Sequence, residues 1–168
     1  HNVAWVSHNT PTTVYSDLDY TLTMQVRNTG TATWPPTGAN PVNLSYHWID
    51  SQNRPLVFDG LRTSLPSNIP PNSTVTLSAR FHTPYEPGTY TLQWDMVHEY
   101  VTWFSERGAP SLYVAVQVLQ NTPPTPPIHV SPVNGTIVRS RTVTFTWQDG
   151  GDPDNRPRTY RDFSVIVA

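Results

Sequence analysis

Apolar and polar residues alternate with a period of two along much of residues 3–118. That is the pattern of strands with one buried and one wet face. Tyr20, Leu22, Met24 and Val26 alternate with Thr21, Thr23, Gln25 and Arg27, and Asn28-Thr29-Gly30 ends the run with turn residues. Val42, Leu44, Tyr46 and Trp48 form a second run, and Val75, Leu77, Ala79 and Phe81 a third after the turn at Pro70-Pro71-Asn72. Pro87-Gly88 leads into Tyr90, Leu92, Trp94, Met96 and His98, and Leu112, Val114, Val116 and Val118 make the last run. Shorter strands are expected at Val3–Val6, Leu56–Phe58 and Val101–Phe104.

Seven to nine short strands with turn signals between them predict an all-β chain folded as an immunoglobulin-like β-sandwich over residues 1–120. Trp48 and Trp94 fall on inward phases and are expected in its core. The opposite phase carries Asn43, Ser45 and His47 on one strand and Gln93, Asp95 and Glu99 on another. These residues are expected to share one solvent-exposed face, since the two strands are neighbours in such sandwiches.

Asn121-Thr122-Pro123-Pro124-Thr125-Pro126-Pro127 has no apolar side chain other than proline, and polyproline II geometry would make residues 121–127 a stiff linker. Residues 128–168 add Val143, Phe145 and Trp147 in alternation, with Trp147 expected inward, and a strand at Phe163–Val167. Three strands are about half of a sandwich. The chain is therefore expected to stop inside a domain, completed by further sequence or by strands of a neighbouring subunit.

Composition narrows the chemistry. Eighteen prolines exclude long helices, and no apolar run approaches the roughly 18 residues that cross a bilayer. The chain reads as a soluble, excised or processed segment without membrane insertion. All ten basic residues are Arg, there is no Cys, and the net charge is -2, so nucleic acid is not expected as a partner. Disulfides and Cys-ligated zinc are excluded. Asn43, Asn72 and Asn134 each begin an Asn-x-Ser/Thr sequon.

Titratable groups cluster only at Asp95-Met96-Val97-His98-Glu99, with His47 and Asp59 as possible neighbours. On a strand His98 faces away from Asp95 and Glu99, so a His-Glu-x-x-His type of zinc site is not expected. No nucleophile elbow or phosphate loop is present, and the chain reads as non-enzymatic with no cofactor. The loop Asp149 to Asn155 offers oxygens to Ca2+ without EF-hand spacing and reads as a solvated turn. Trp34, beside Pro35-Pro36, and Trp103-Phe104 lie near strand ends or in a hairpin, where an exposed ring is a contact surface. With His47, Gln93 and Asp95 they form the candidate interaction surface.

The string Asn28-Thr29-Gly30-Thr31-Ala32-Thr33-Trp34-Pro35, then Leu44-Ser45-Tyr46-His47-Trp48, then Pro87-Gly88-Thr89-Tyr90-Thr91-Leu92-Gln93-Trp94 resembles the four-tryptophan immunoglobulin-like domains of autophagy cargo receptors. It is closer still to bacterial surface and secreted proteins with the same sandwich. Trp34, Trp48 and Trp94 match the pattern, and Tyr113 stands where the fourth tryptophan is expected. Ser131-Pro132-Val133-Asn134-Gly135, Val143 to Trp147 and Asp152-Pro153-Asp154 resemble the first half of a bacterial fibronectin type III module, so residues 128–168 are expected to be a partial one. These resemblances imply a non-catalytic structural or adhesion module, extracellular or on the cell surface, in a filament or surface assembly. Its expected partner is a protein or a neighbouring subunit. The alternative is an accessory carbohydrate-binding module with a glycan ligand.

Overall fold

The computed structural model describes residues 1–137, 139 and 142–154. The expected strand Phe163–Val167 and the loop residue Asn155 lie outside the described residues. The chain divides into two compact units, His1–Gln120 and Asn121–Ala168. No helix among the described residues is long and apolar enough to cross a membrane.

The first unit contains β1 (Val3–His8), β2 (Thr13–Tyr15), β3 (Asp19–Asn28), β4 (Val42–Ile49), β5 (Pro55–Val57), β6 (Thr63–Ser64), β7 (Thr74–His82), β8 (Gly88–His98), β9 (Thr102–Trp103) and β10 (Leu112–Leu119). A single 3-10 turn, η1 (Ser105–Arg107), follows β9. One sheet has the order β1-β3-β7, and the other β2-β10-β8-β4-β5, with β6 on β4 and β9 on β8. This is the strand order of an immunoglobulin-like sandwich. The long runs pair as their periodicity predicts. On β3, Leu22, Met24 and Val26 are buried, on β7 Val75, Leu77, Ala79 and Phe81, and on β10 Val114, Val116 and Val118. Two short strands escaped the pattern: β2, parallel to β10, has one buried apolar side chain, Val14, and β6 has none.

The core is built on aromatic side chains. Phe81 packs edge-on to Tyr46, Trp48 and Trp94, with ring centroids 6.3, 6.0 and 5.9 Å apart. Trp48 Nε1 donates to the His82 carbonyl at 2.8 Å, and the His82 amide donates to Tyr46 Oη at 2.9 Å. Both bonds cross from β4 to β7 and tie the two sheets together. Tyr90, at the start of β8, donates its hydroxyl to the Glu86 carbonyl at 3.0 Å, the tyrosine corner of this architecture.

The sequence motifs have local causes. Asn28 is fully buried; its Nδ2 donates to the Ala32 and Ile69 carbonyls, both at 2.9 Å, and its Oδ1 accepts from the Gly30 amide at 3.0 Å. A Cβ on Gly30 would lie 3.2 Å from the Asn2 amide nitrogen, so the turn has little room for a side chain. The same turn presents Trp34 to Ile69, with which it forms a two-way backbone bridge.

The second unit has an antiparallel pair, β11 (Ile128–Ser131) with β12 (Thr146–Gln148). Trp147 was expected inward but is 38% exposed, stacked on Phe145 at 5.9 Å. Among the described residues its sheet has only two strands, which form no second layer to cover the ring. Residues 121–127 are also more than a bare spacer. The Thr125 amide donates to the Gly151 carbonyl at 3.1 Å, and the Thr122 amide to Asp154 Oδ2 at 2.7 Å.

Candidate functional site

β4 and β8 lie side by side, with Ser45 opposite Asp95 and His47 opposite Gln93. Their inward phase is the predicted one, since Tyr46, Trp48, Leu92 and Trp94 are all buried in the core. Their outer phase is not exposed as expected. Asn43, Ser45, His47 and Asp95 are buried, with His47 4% and Asp95 0% accessible, while Gln93 and Glu99 are half-buried. The cause is chain that folds back over this face from the sheet's own short strands: residues 58–62, after β5, cover it from one side, and the turn from β9 into η1 covers it from the other.

Gly60 lets the first cover lie flat. Its amide donates to the Tyr46 carbonyl at 3.1 Å, and a Cβ there would overlap that oxygen and the Tyr46 ring. Arg62 then reaches over the polar face. Its Nε donates to Glu99 Oε1 at 2.7 Å, its Nη1 to Ser45 Oγ at 3.0 Å and to the Gly60 carbonyl at 2.7 Å, and its Nη2 pairs with Asp59 at 2.6 Å. Burial opposes the guanidinium charge, but the bonds to Glu99 and Asp59 outweigh it and raise the Arg62 pKa. Asn43 Nδ2 adds a bond to Glu99 Oε1 at 2.9 Å, while Asn43 Oδ1 is buried without a hydrogen-bond partner.

The second cover brings in aromatic surface. Trp103 lies 4.3 Å from the His47 ring and 5.7 Å from Phe58, and the Arg62 guanidinium sits 5.1 Å above its plane. His47 Nδ1 bonds the Phe58 carbonyl, so that nitrogen carries the proton. His47 Nε2 faces Asp95 Oδ2 at 3.9 Å, beyond hydrogen-bond range. Asp95 instead accepts from the Met96 amide at 2.7 Å and the Ser105 amide at 3.4 Å.

Beside these rings lies a cleft of about 210 Å³, lined by His47, Phe58 and Trp103 with Asn53, Gln93 and Glu106. Phe58 is 56% exposed, and Leu56 and Leu61 flank it in the open. Glu106 is held in place because its Oε2 accepts from Thr102 Oγ1 at 3.0 Å and from the Trp103 amide at 3.3 Å.

The structure therefore gathers four of the six sequence candidates, His47, Gln93, Asp95 and Trp103, on one face of one sheet. It separates the other two. Trp34 is 3% exposed and packs edge-on to fully buried Phe104 at 5.5 Å, so neither is a contact surface. Trp103 is 9% exposed and forms a wall rather than a platform. Phe58, Arg62 and Glu106 were missed. Asp59-Gly60 marks the turn that carries two of them, but Arg62 meets Glu99 across 37 positions, beyond any local pattern. Among the described residues no group of three or more His, Asp or Glu gathers to hold a metal.

A family model described as the Ig-like domain from next to BRCA1 gene matches residues 8–118. No curated protein sequence matches the chain. Among solved structures, a family 123 glycoside hydrolase from Clostridium perfringens, studied for glycolipid glycan hydrolysis, is similar over 64% of this chain and 22% of its own, with a TM-score of 0.37 and 13% identity. That overlap is too partial to carry an argument about function. The family match spans nearly all of the sandwich and includes the Asn28, Trp34, Trp48 and Trp94 positions that organise its core, and the chain belongs to the family of Ig-like domains from next to BRCA1 gene.

Proposed function

We propose that this chain is a non-catalytic adhesion or assembly module of a secreted or cell-surface bacterial protein, and that it engages a protein partner at the cleft beside Phe58 and Trp103. The second unit then belongs to a fibronectin type III-like module, a reading supported by the antiparallel β11–β12 pair. One observation carries the proposal. A network of partly buried polar groups centred on Arg62 pins the segment 55–62 against the sheet, and this strap displays Leu56, Phe58 and Leu61 to solvent. A surface that holds large apolar side chains in the open on a fixed support is a docking surface. The carbohydrate-binding alternative has less support, because Trp34 and Trp103, the rings best placed by sequence to stack on a sugar, are buried.

A random peptide library and a glycan array, each probed with the wild-type chain and with Phe58→Ala, separate the two. Peptides retained by the wild type and lost by the variant are expected. Glycans retained in a Phe58-dependent way, or peptides held equally by both proteins, would overturn the protein-partner reading.

A further inference from the structure

Resting on the reading of this cleft as a docking site, we propose that its occupant is the side chain of an arginine on the partner. Size points to one side chain. At about 210 Å³ the cleft falls below the roughly 300 Å³ at which sites for drug-sized ligands begin, a size that one side chain fills. Charge points to a cation. Glu106 is the one carboxylate on the lining, Asp95 is buried beneath His47, and the Arg62 guanidinium over Trp103 is already paired with Glu99 and Asp59. The hydrogen bonds from Thr102 and Trp103 hold the Glu106 carboxylate through Oε2 alone, so Oε1 stays available on an exposed side chain.

Each other occupant meets a specific obstacle. An acidic group would face Glu106 and Asp95. An aliphatic group would strip water from the Glu106 carboxylate and return no hydrogen bond. A sugar would find the Gln93 amide already donating to Ser111 Oγ at 3.0 Å and one face of Trp103 covered by Arg62.

A guanidinium suits both halves of the site. Its plane stacks on an aromatic face within about 6 Å, and its fork donates to a carboxylate. The protein already makes this contact once, with the Arg62 guanidinium over Trp103 at 5.1 Å and its donors on Glu99 and Asp59. The proposed arginine repeats it on the open face of Phe58 with Glu106 as acceptor. Lysine has no plane to stack, and is expected to bind more weakly.

The test is a two-dimensional NMR titration of the full chain with acetyl-Gly-Arg-Gly-amide, and with the same peptide carrying citrulline or lysine in place of arginine. The arginine peptide is expected to shift the Trp103 indole and the Phe58 and Glu106 amides. Citrulline, which keeps the shape and loses the charge, and the Glu106→Gln variant, which keeps an acceptor for the Trp103 amide, are each expected to weaken binding about 10-fold. An unshifted spectrum elsewhere in Glu106→Gln shows that the fold is intact. Equal binding of the citrulline and arginine peptides, equal binding to Glu106→Gln, or no shift with millimolar arginine peptide would each overturn the assignment. Phe58-dependent binding of library peptides without this charge dependence would overturn the arginine alone and leave the docking reading standing.

Discussion

Arg62 holds more of the outer face together than any other described side chain, since Glu99, Asp59, Ser45 and the Gly60 carbonyl all meet its guanidinium. Replacing it with Ala removes donors from partly buried acceptors. A loss of about 2 kcal/mol is expected, the range for hydrogen bonds to charged groups. A urea melt showing less than about 0.5 kcal/mol would mean that water replaces the network without penalty. Asp50 is held by a tight loop of its own. The Arg54 amide donates to its Oδ1 at 2.9 Å and Arg54 Nε to its Oδ2 at 2.8 Å, and the backbone bond leads the causes that lower its pKa. Because the folded value is the lower one, the contribution of this loop is present above the unfolded pKa and lost as pH falls through the folded one. Carboxyl NMR should place the Asp50 midpoint below the ordinary aspartate range, and an ordinary midpoint would contradict the loop geometry.

Among the elements, the strap of residues 55–62 decides whether the cleft exists. Gly60 touches the Tyr46 backbone so closely that a side chain has no space, and Gly60→Val is expected to lift the strap and destabilise the fold by about 1 to 3 kcal/mol. Phe58 should then lose its contacts with His47 and Trp103, visible as a shift of the Trp103 indole in NMR. Unchanged indole and stability would show that the strap is not seated by Gly60. The long strands were legible because alternation fixes the phase of a strand, and β3, β4, β7, β8 and β10 all keep the phase read from their residues. Alternation distinguishes two faces but cannot tell what covers the second. His47 and Asp95 therefore read as solvated, although chain from 58–62 and 102–106 buries them. Trp34 and Phe104 misled for a related reason. Proline neighbours and a hairpin position suggest exposure, but the Trp34–Ile69 bridge and the turn after β9 fold both rings into the core. The cleft was thus half legible: its β-strand residues could be read, and the residues that close it could not.

The sandwich of the first unit dispenses with disulfides by packing aromatics between its sheets and tying β4 to β7 through His82. Trp48→Ala or Trp94→Ala is expected to cost about 3 to 5 kcal/mol, enough to threaten a domain whose total is about 5 to 15. Denaturant melts in which both lose under about 1 kcal/mol would remove them from the core. Accessibility also sorts the three sequons. Asn72 and Asn134 are exposed and Asn43 is buried in β4. Expressed through a eukaryotic secretory pathway, the folded chain should carry glycans at Asn72 and Asn134 only, and a glycopeptide containing modified Asn43 would contradict the covered outer face.

With the cleft as the docking site, binding is expected on the covered outer face of the larger sheet rather than on the β1-β3-β7 face. The direct measurement is a backbone NMR map of the chain with a peptide selected from the library. Perturbations confined to residues 47, 53–58, 93 and 103–106 are predicted, and they should vanish in Phe58→Ala. Perturbations centred on Thr21, Thr23, Thr76 and Ser78, with the Phe58 and Trp103 signals unmoved, would contradict it.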